Sequence, residues 1–390
     1  MCKRTIVSEC VTNGHPDKIA DRIADNILNE FKKVDVNVRA GIEVMVKDNI
    51  VVLGGEIGST GTVDYDAIVR DVYSDLNFPV NHGLAPDNIK IINLIGKQSP
   101  EIHNGVDGGM DIGAGDQGFV CGYATNETPA YLGLGHYIAK CICRFIEGRA
   151  FIGPDAKSQV IVEYDEFGNA HLKSILVSTM HYDALENLED LRAHIEECIK
   201  KNLVDIDKNI FEKYINQPGW KLDINPCGSW HIGGPVSDCG VTGRKIVVDQ
   251  YGGYCKVGGG ALVGKDMTKV DRSAAYMSRY LAKNIVASGI CDCAKVELSY
   301  MIGVPEPSSV YVWMNRNREF GDRVVDIIKK KVKLTPGGII KCFGVDNGRY
   351  GFIGKYGHYG VPEIYFNASN WAYDVYPWEK IDIKNIFEIC

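Results

Sequence analysis

The sequence predicts an α+β fold built from three similar αββαβ-type units, packed sheet face to sheet face. One order of elements (helix, hairpin, helix, strand) recurs about every third of the chain, with equivalent helices starting near positions 17, 129 and 271. The hairpins join strands adjacent in sequence, which gives antiparallel sheets with one face free for packing. The chain's 390 residues, 45% of them hydrophobic, also exceed the roughly 250–300 at which one core stops growing.

In the first unit, residues 17–33 place Ile19, Ile23, Ile27, Leu28 and Phe31 on one helical face, and Pro16 suits the first turn. GIEVMVK and IVVLGGEI alternate around Asp48 and Asn49 as a hairpin, followed by a helix over 63–76 and a strand over 89–95. The second unit has a helix over 130–146, a hairpin of QVIVEYD and HLKSILVST around Gly168, a helix over 188–203 and a short strand, LDI, before Asn225. The third has a helix over 271–287 ending at Gly289, strands over 294–302 and 309–314, a helix over 320–332 and a strand over 339–343. Residues 96–118, 228–264 and 346–377 lack a period, and long irregular stretches in a compact protein serve as binding loops or lids. The expected division is an N-terminal domain over 1–97, a gating loop over 98–111, a central domain over 112–230 and a C-terminal domain over 231–390. Sheet faces left bare in one chain call for a second chain, so a symmetric homodimer is expected.

The balance of 43 basic against 50 acidic residues gives a net charge of -7, which argues against nucleic acid as a partner. Thirteen cysteines without a CxxC pair fit reduced thiols in a cytoplasmic protein better than a zinc site or a disulfide scaffold. The start, MCKRTIVSEC, lacks an apolar signal core, and no window of 18 apolar residues predicts a membrane span.

The segment 233–272 is the most telling for chemistry, because its ten glycines alternate with ten charged residues. Glycine lets backbone N–H groups approach an oligophosphate, fixed cations neutralise its oxygens, and carboxylates hold hydrated Mg²⁺ against it. Among the ten are the cations Arg244, Lys245, Lys265 and Lys269 and the carboxylates Asp238, Asp249, Asp266 and Asp271. GGALVGK at 259–265 has P-loop spacing, but Asp266 stands where that loop needs Ser or Thr, so a phosphate site of another shape is implied. GHPDK sets His15 and Asp17 at a helix start, where phosphate is favoured and a carboxylate can bring a metal. PDAKSQ places Asp155 and Lys157 beside a strand, Glu43 and Glu56 flank the first hairpin, and Trp230 can stack on an adenine ring.

Taken in order, GHPDK, GGEI, GKQSP, GAGDQG, PDAKSQ, IGGPVSDCGVTGRKIVVDQYGG, GGGALVGKD, KVDRSAAY, IGV, YGH and PWEK resemble the S-adenosylmethionine synthetase (methionine adenosyltransferase) family from Glu9 to Lys380. The resemblance implies that family's fold of three α+β domains about a pseudo-threefold axis, in a dimer or a dimer of dimers, with active sites between two subunits. It implies attack of the L-methionine sulfur on C5′ of ATP, then hydrolysis of the tripolyphosphate to pyrophosphate and phosphate. His15, Lys157, Arg244, Lys245 and Lys265 would carry catalysis. ATP would also meet Asp155, Trp230, Asp238 and Ala261, while methionine would meet Glu56, Gln98, Asp238, Lys269 and Ile302. Asp116 would face the sulfonium, Asp17 and Asp271 would each serve one of two Mg²⁺ ions, and Glu43 would serve K⁺. The chain departs from the family pattern at Ser229, Trp230, Val257 and Val263, in a gating loop about two residues short, and in an insertion over 360–375.

Overall fold

The computed structural model describes residues 3–98, 112–149, 151–182, 187–344 and 349–388. The strands are β1 (Arg4–Val11), β2 (Arg39–Lys47), β3 (Ile50–Gly58), β4 (Lys90–Asn93), β5 (Gly96–Lys97), β6 (Gly118–Thr125), β7 (Ile152–Tyr164), β8 (Ala170–His181), β9 (Lys221–Ile224), β10 (Gly240–Val241), β11 (Cys293–Tyr300) and β12 (Ser309–Met314). The longer helices are α1 (Pro16–Val34), α2 (Tyr65–Leu76), α3 (Leu134–Ile146), α4 (Leu188–Ile206), α5 (Val270–Ala287) and α6 (Gly321–Lys331).

These strands form three sheets, ordered β10-β2-β3-β4 with β5 beside β3, β1-β7-β8-β9, and β12-β11-β6. The edge strands exchange cyclically between units. β1 precedes α1 but pairs with β7 of the second sheet, β6 precedes α3 but pairs with β11 of the third, and β10 precedes α5 but pairs with β2 of the first. Each unit therefore closes the sheet of the next, which makes the threefold relation one of shared hydrogen bonds as well as shape.

The repeated helices α1, α3 and α5 lie in the core, with Ile19, Ile23, Ile138, Ile142, Leu281 and Ile285 all fully buried. At about 25 cal/mol per Å² of apolar surface removed from water, such aliphatic residues each contribute about 1.5–3 kcal/mol. On the opposite sheet faces apolar side chains stay exposed, among them Val7, Met45, Ile92, Phe119 and Tyr311.

The structure corrects two expectations. Residues 339–343 belong to a helix, α7 (Pro336–Phe343), rather than a strand. Thr335 accepts the Gly338 N–H at 3.0 Å, Pro336 fits the first turn, and Gly344 ends the helix in the left-handed region. The stretch from 346 to 377 holds three short helices, α8 (Tyr350–Tyr356), α9 (Val361–Tyr365) and α10 (Asn370–Val375). Buried charges anchor this stretch: Glu379 pairs with Arg279 at 2.9 Å and Lys283 at 2.7 Å, and Lys283 also meets Glu363 at 2.5 Å. Trp378 stacks on Tyr276 of α5 with ring centres 3.5 Å apart. Apart from Gln98, the expected gating loop lies outside the described residues.

Candidate active site

Helix α1 carries a carboxylate on every fourth residue, Asp17, Asp21 and Asp25, and this spacing puts all three on one face. Each receives a backbone N–H from the glycine-rich segment: Val241 on Asp17 at 3.0 Å, Gly243 on Asp21 at 3.0 Å and Gly264 on Asp25 at 2.9 Å. Gly243 and Gly264 have positive φ, and a Cβ at Gly264 would come within 2.2 Å of the Ile42 carbonyl oxygen. The segment therefore follows the helix only with glycine at these approaches. Arg272 locks the far end, gripping both Asp25 oxygens at 2.7 and 2.8 Å and the Lys265 carbonyl at 3.0 Å, with both side chains of the pair fully buried.

The near end of this ladder gathers most of the cations expected to handle phosphate. Lys245 reaches Asp17 at 2.5 Å, and Arg244 approaches its other oxygen at 3.6 Å. Lys157, on β7, joins them in lining a cavity of about 330 Å³ whose only acidic wall residue is Glu9. Glu9 in turn accepts a hydrogen bond from Gln159 at 2.8 Å. His15 caps α1, its Nδ1 accepting the Asp17 N–H at 3.2 Å. Burial, reinforced by Lys245, pulls its imidazole down to about 4, so at neutral pH the ring is uncharged. For Asp17, burial pushes upward but the Lys245 and Val241 hydrogen bonds outweigh it, holding the carboxyl below its ordinary value.

Asp155 sits under the same cluster, accepting the Gly234 N–H at 2.7 Å. Burial pushes it up to about 7 against the pull of that N–H and of Lys157. Asp238 adds negative potential at both His15 and Asp155. Trp230 is half-buried on the adjoining turn, where its Nε1–H donates to the Ile232 carbonyl at 2.7 Å. Its ring is thus fixed through its own N–H rather than by core packing.

Lys265 and Asp271 form a second group, 2.6 Å apart, with Gly260 pressed against the Asp271 carboxylate. Ala261 packs against Gly243. Glu43 takes a hydrogen bond from Thr242 and is exposed. Glu56 is exposed on β3 opposite Gly41, and Gly41 bridges to Lys265, so strand spacing puts Glu56 roughly 10 Å from that lysine's backbone. Gln98 lies against Gly58 in a separate cavity of about 380 Å³.

Asp116 and Ile302 are exposed on neighbouring loops joined by the Gly303 N–H to the Ala114 carbonyl at 2.8 Å. Lys269 runs past Gly115 of the same loop. Among the described residues, no hydrogen bond or ion pair links Glu56, Gln98, Asp116, Lys269 or Ile302 to the His15–Lys245 cluster. Within one chain, the expected phosphate groups other than Lys265 converge, Asp238 lies near them, and the remaining expected methionine groups stand apart. Asp21, Asp25, Thr242 and Arg272 were not anticipated as parts of this framework, although the every-fourth-residue aspartates of α1 are visible in the sequence.

No cluster of three or more His, Cys, Asp or Glu residues with metal-binding geometry occurs among the described residues. Asp17 and Asp271 fit a different mode, in which Mg²⁺ keeps several waters and takes one carboxylate plus substrate phosphates.

Three family models match the chain: the N-terminal domain of S-adenosylmethionine synthetase over residues 3–100, its central domain over 111–230 and its C-terminal domain over 232–371. The S-adenosylmethionine synthase of Brachyspira hyodysenteriae is 40% identical over 400 residues, covering 97% of this chain and 96% of its own. That of Staphylococcus epidermidis is 39% identical over 409 residues, covering 99% and 98%. An unusual S-adenosylmethionine synthetase from Campylobacter jejuni superposes with a TM-score of 0.85 at 33% identity, over 100% of this chain and 99% of that one.

Proposed function

The chain belongs to the S-adenosylmethionine synthetase family, and from that premise we propose how its residues divide the work. It is an ATP:L-methionine S-adenosyltransferase, joining methionine sulfur to C5′ of ATP with loss of tripolyphosphate. A thioether sulfur carries no proton, so the displacement needs no general base. It needs sulfur aligned with C5′ and the departing triphosphate stabilised as negative charge builds on it.

Lys157, Arg244 and Lys245 meet that need at the triphosphate, and the single observation that carries the reading is their convergence on one cavity beside His15 and Asp17. Lys265 extends the cation row toward the third unit. Neutral His15, whose Nδ1 accepts the Asp17 N–H, donates its Nε2–H to a phosphate oxygen without adding charge beside the metal. Trp230 and Ala261 flank the adenosine, and Asp155, under the same cluster, senses its phosphates. Mg²⁺, held by Asp17 and Asp271 through one carboxylate each, would neutralise phosphate charge, and K⁺ would sit near Glu43 and Thr242. The same cations then support hydrolysis of tripolyphosphate to pyrophosphate and phosphate.

Methionine is held by Glu56, Gln98, Asp238, Lys269 and Ile302, with Asp116 balancing the sulfonium. Apart from Asp238, these groups complete the site across a dimer interface, a reading supported by the bare sheet faces that expose Val7, Met45, Ile92, Phe119 and Tyr311. No helix among the described residues is long and apolar enough to cross a membrane. The test is to incubate the protein with ATP, Mg²⁺ and K⁺, with and without methionine, and follow products by mass spectrometry. A sulfonium product that needs methionine supports the reading, and phosphate release indifferent to methionine overturns it.

A further inference from the structure

Cys121, in β6, and Cys255, in the glycine-rich segment, bring their Sγ atoms within 3.1 Å of each other. Cys121 is 1% exposed, while Cys255 is half-buried. Their neighbourhood holds them together. Cys121 stands opposite Glu297 on β11, and Glu297 pairs at 2.8 Å with Lys256, whose ammonium lies over the Phe119 ring. Three residues past Cys255 a Cβ on Gly258 would meet the Phe119 carbonyl oxygen at 2.5 Å, so the segment lies directly on the strand. A disulfide needs the sulfurs about 2.05 Å apart, so closing the gap takes a shift of only about 1 Å.

We propose that Cys121 and Cys255 are a peroxide-oxidisable dithiol that closes to an intrachain disulfide. Cys255 is the attacking sulfur. It is the more exposed of the two; the hydrogen bond it shares with Cys121, with Lys295 and Lys256 nearby, lowers its thiol despite burial, whereas that hydrogen bond and burial raise Cys121. The Cys255 thiolate breaks the peroxide O–O bond and becomes a sulfenic acid, and the departing hydroxide takes up a proton as water. Cys121 then attacks that sulfur, the S–O bond breaks as S–S forms, and the leaving hydroxide takes the Cys121 proton as a second water. The two sulfurs lose two electrons and the peroxide gains them. The bond ties the run leading to Gly260 and Lys265 onto β6 and closes a loop across 134 positions.

The experiment treats the full chain with hydrogen peroxide, blocks remaining thiols, and maps peptides by mass spectrometry. The expected result is a loss of two hydrogens, located in a Cys121–Cys255 peptide and reversed by dithiothreitol. Thermal unfolding should rise by roughly 3–5 °C on oxidation. In Cys255→Ser that peptide and the thermal shift should disappear, while adenosyl transfer by the reduced protein is retained. A bridge mapped to other cysteines, a Cys255 that proceeds to sulfinic acid beside a free Cys121, or an unchanged thermal shift in Cys255→Ser would overturn the assignment.

Discussion

Replacing Arg272 with Met tests whether the buried pair at the end of the aspartate ladder holds the glycine-rich segment in place. Arg272 and Asp25 are both fully buried, and the guanidinium makes four hydrogen bonds: to both Asp25 oxygens, the Lys265 carbonyl and, at 2.9 Å, the Tyr276 hydroxyl. Methionine fills much of the same volume, so little of the loss comes from a cavity. What remains is a carboxylate stranded in the core, and removing one partner of such a pair costs about 3–5 kcal/mol. At about 2.1 cal/mol/K per residue near 60 °C, unfolding entropy for this length is about 0.8 kcal/mol/K, so Tm should fall by about 4–6 °C. Urea unfolding and calorimetry of Arg272→Met measure this directly. The double variant Asp25→Leu/Arg272→Met should recover more than half the loss, because it no longer strands a charge, though the Gly264 N–H is left without its acceptor. A single variant within 1 kcal/mol of the parent, or a double variant worse than the single, would refute the reasoning.

Lys265→Ala should lower kcat by roughly 10²–10³, the scale of one lost charge-stabilising donor, in steady-state assays at saturating ATP and methionine. Gly264→Ala should destabilise by about 2–4 kcal/mol in urea unfolding, since a side chain there meets both a positive φ and the Ile42 carbonyl. For Glu379, burial pushes its carboxyl up but Arg279 and Lys283 overcome it and hold it at about 2. A depressed folded value means stability that is present above the ordinary carboxylate range and lost as pH falls from about 4.5 toward 2. Acid unfolding of Glu379→Gln should therefore show a shallower loss over that window than the parent does.

The repeat and the helix faces were legible because both are local: the β2–β3 and β7–β8 hairpins follow from alternation and from turns at Asp48 and Gly168. The cyclic exchange of β1, β6 and β10 was not legible, since nothing in RTIVSECV says that Arg4 will face Tyr164 rather than a strand of its own unit. IIKCF at 339–343 was misread because a short apolar run cannot outweigh the Thr335–Pro336 start and the Gly344 stop that make it a helix. At the site, charge type and glycine spacing pointed to phosphate chemistry. The partners inside one chain emerged only with the fold, because Asp17 and Lys245 lie 228 positions apart.

The central claim is that the cations gathered beside His15 and Asp17 act on the departing triphosphate. Its most direct test is a single-turnover reaction of Lys245→Met, quenched at intervals and assayed for sulfonium product with enzyme in excess and both substrates saturating. The account predicts that the bond-forming rate falls by roughly 10²–10³ while methionine affinity is unchanged. A parental rate of sulfonium formation, with only ATP affinity weakened, would contradict it.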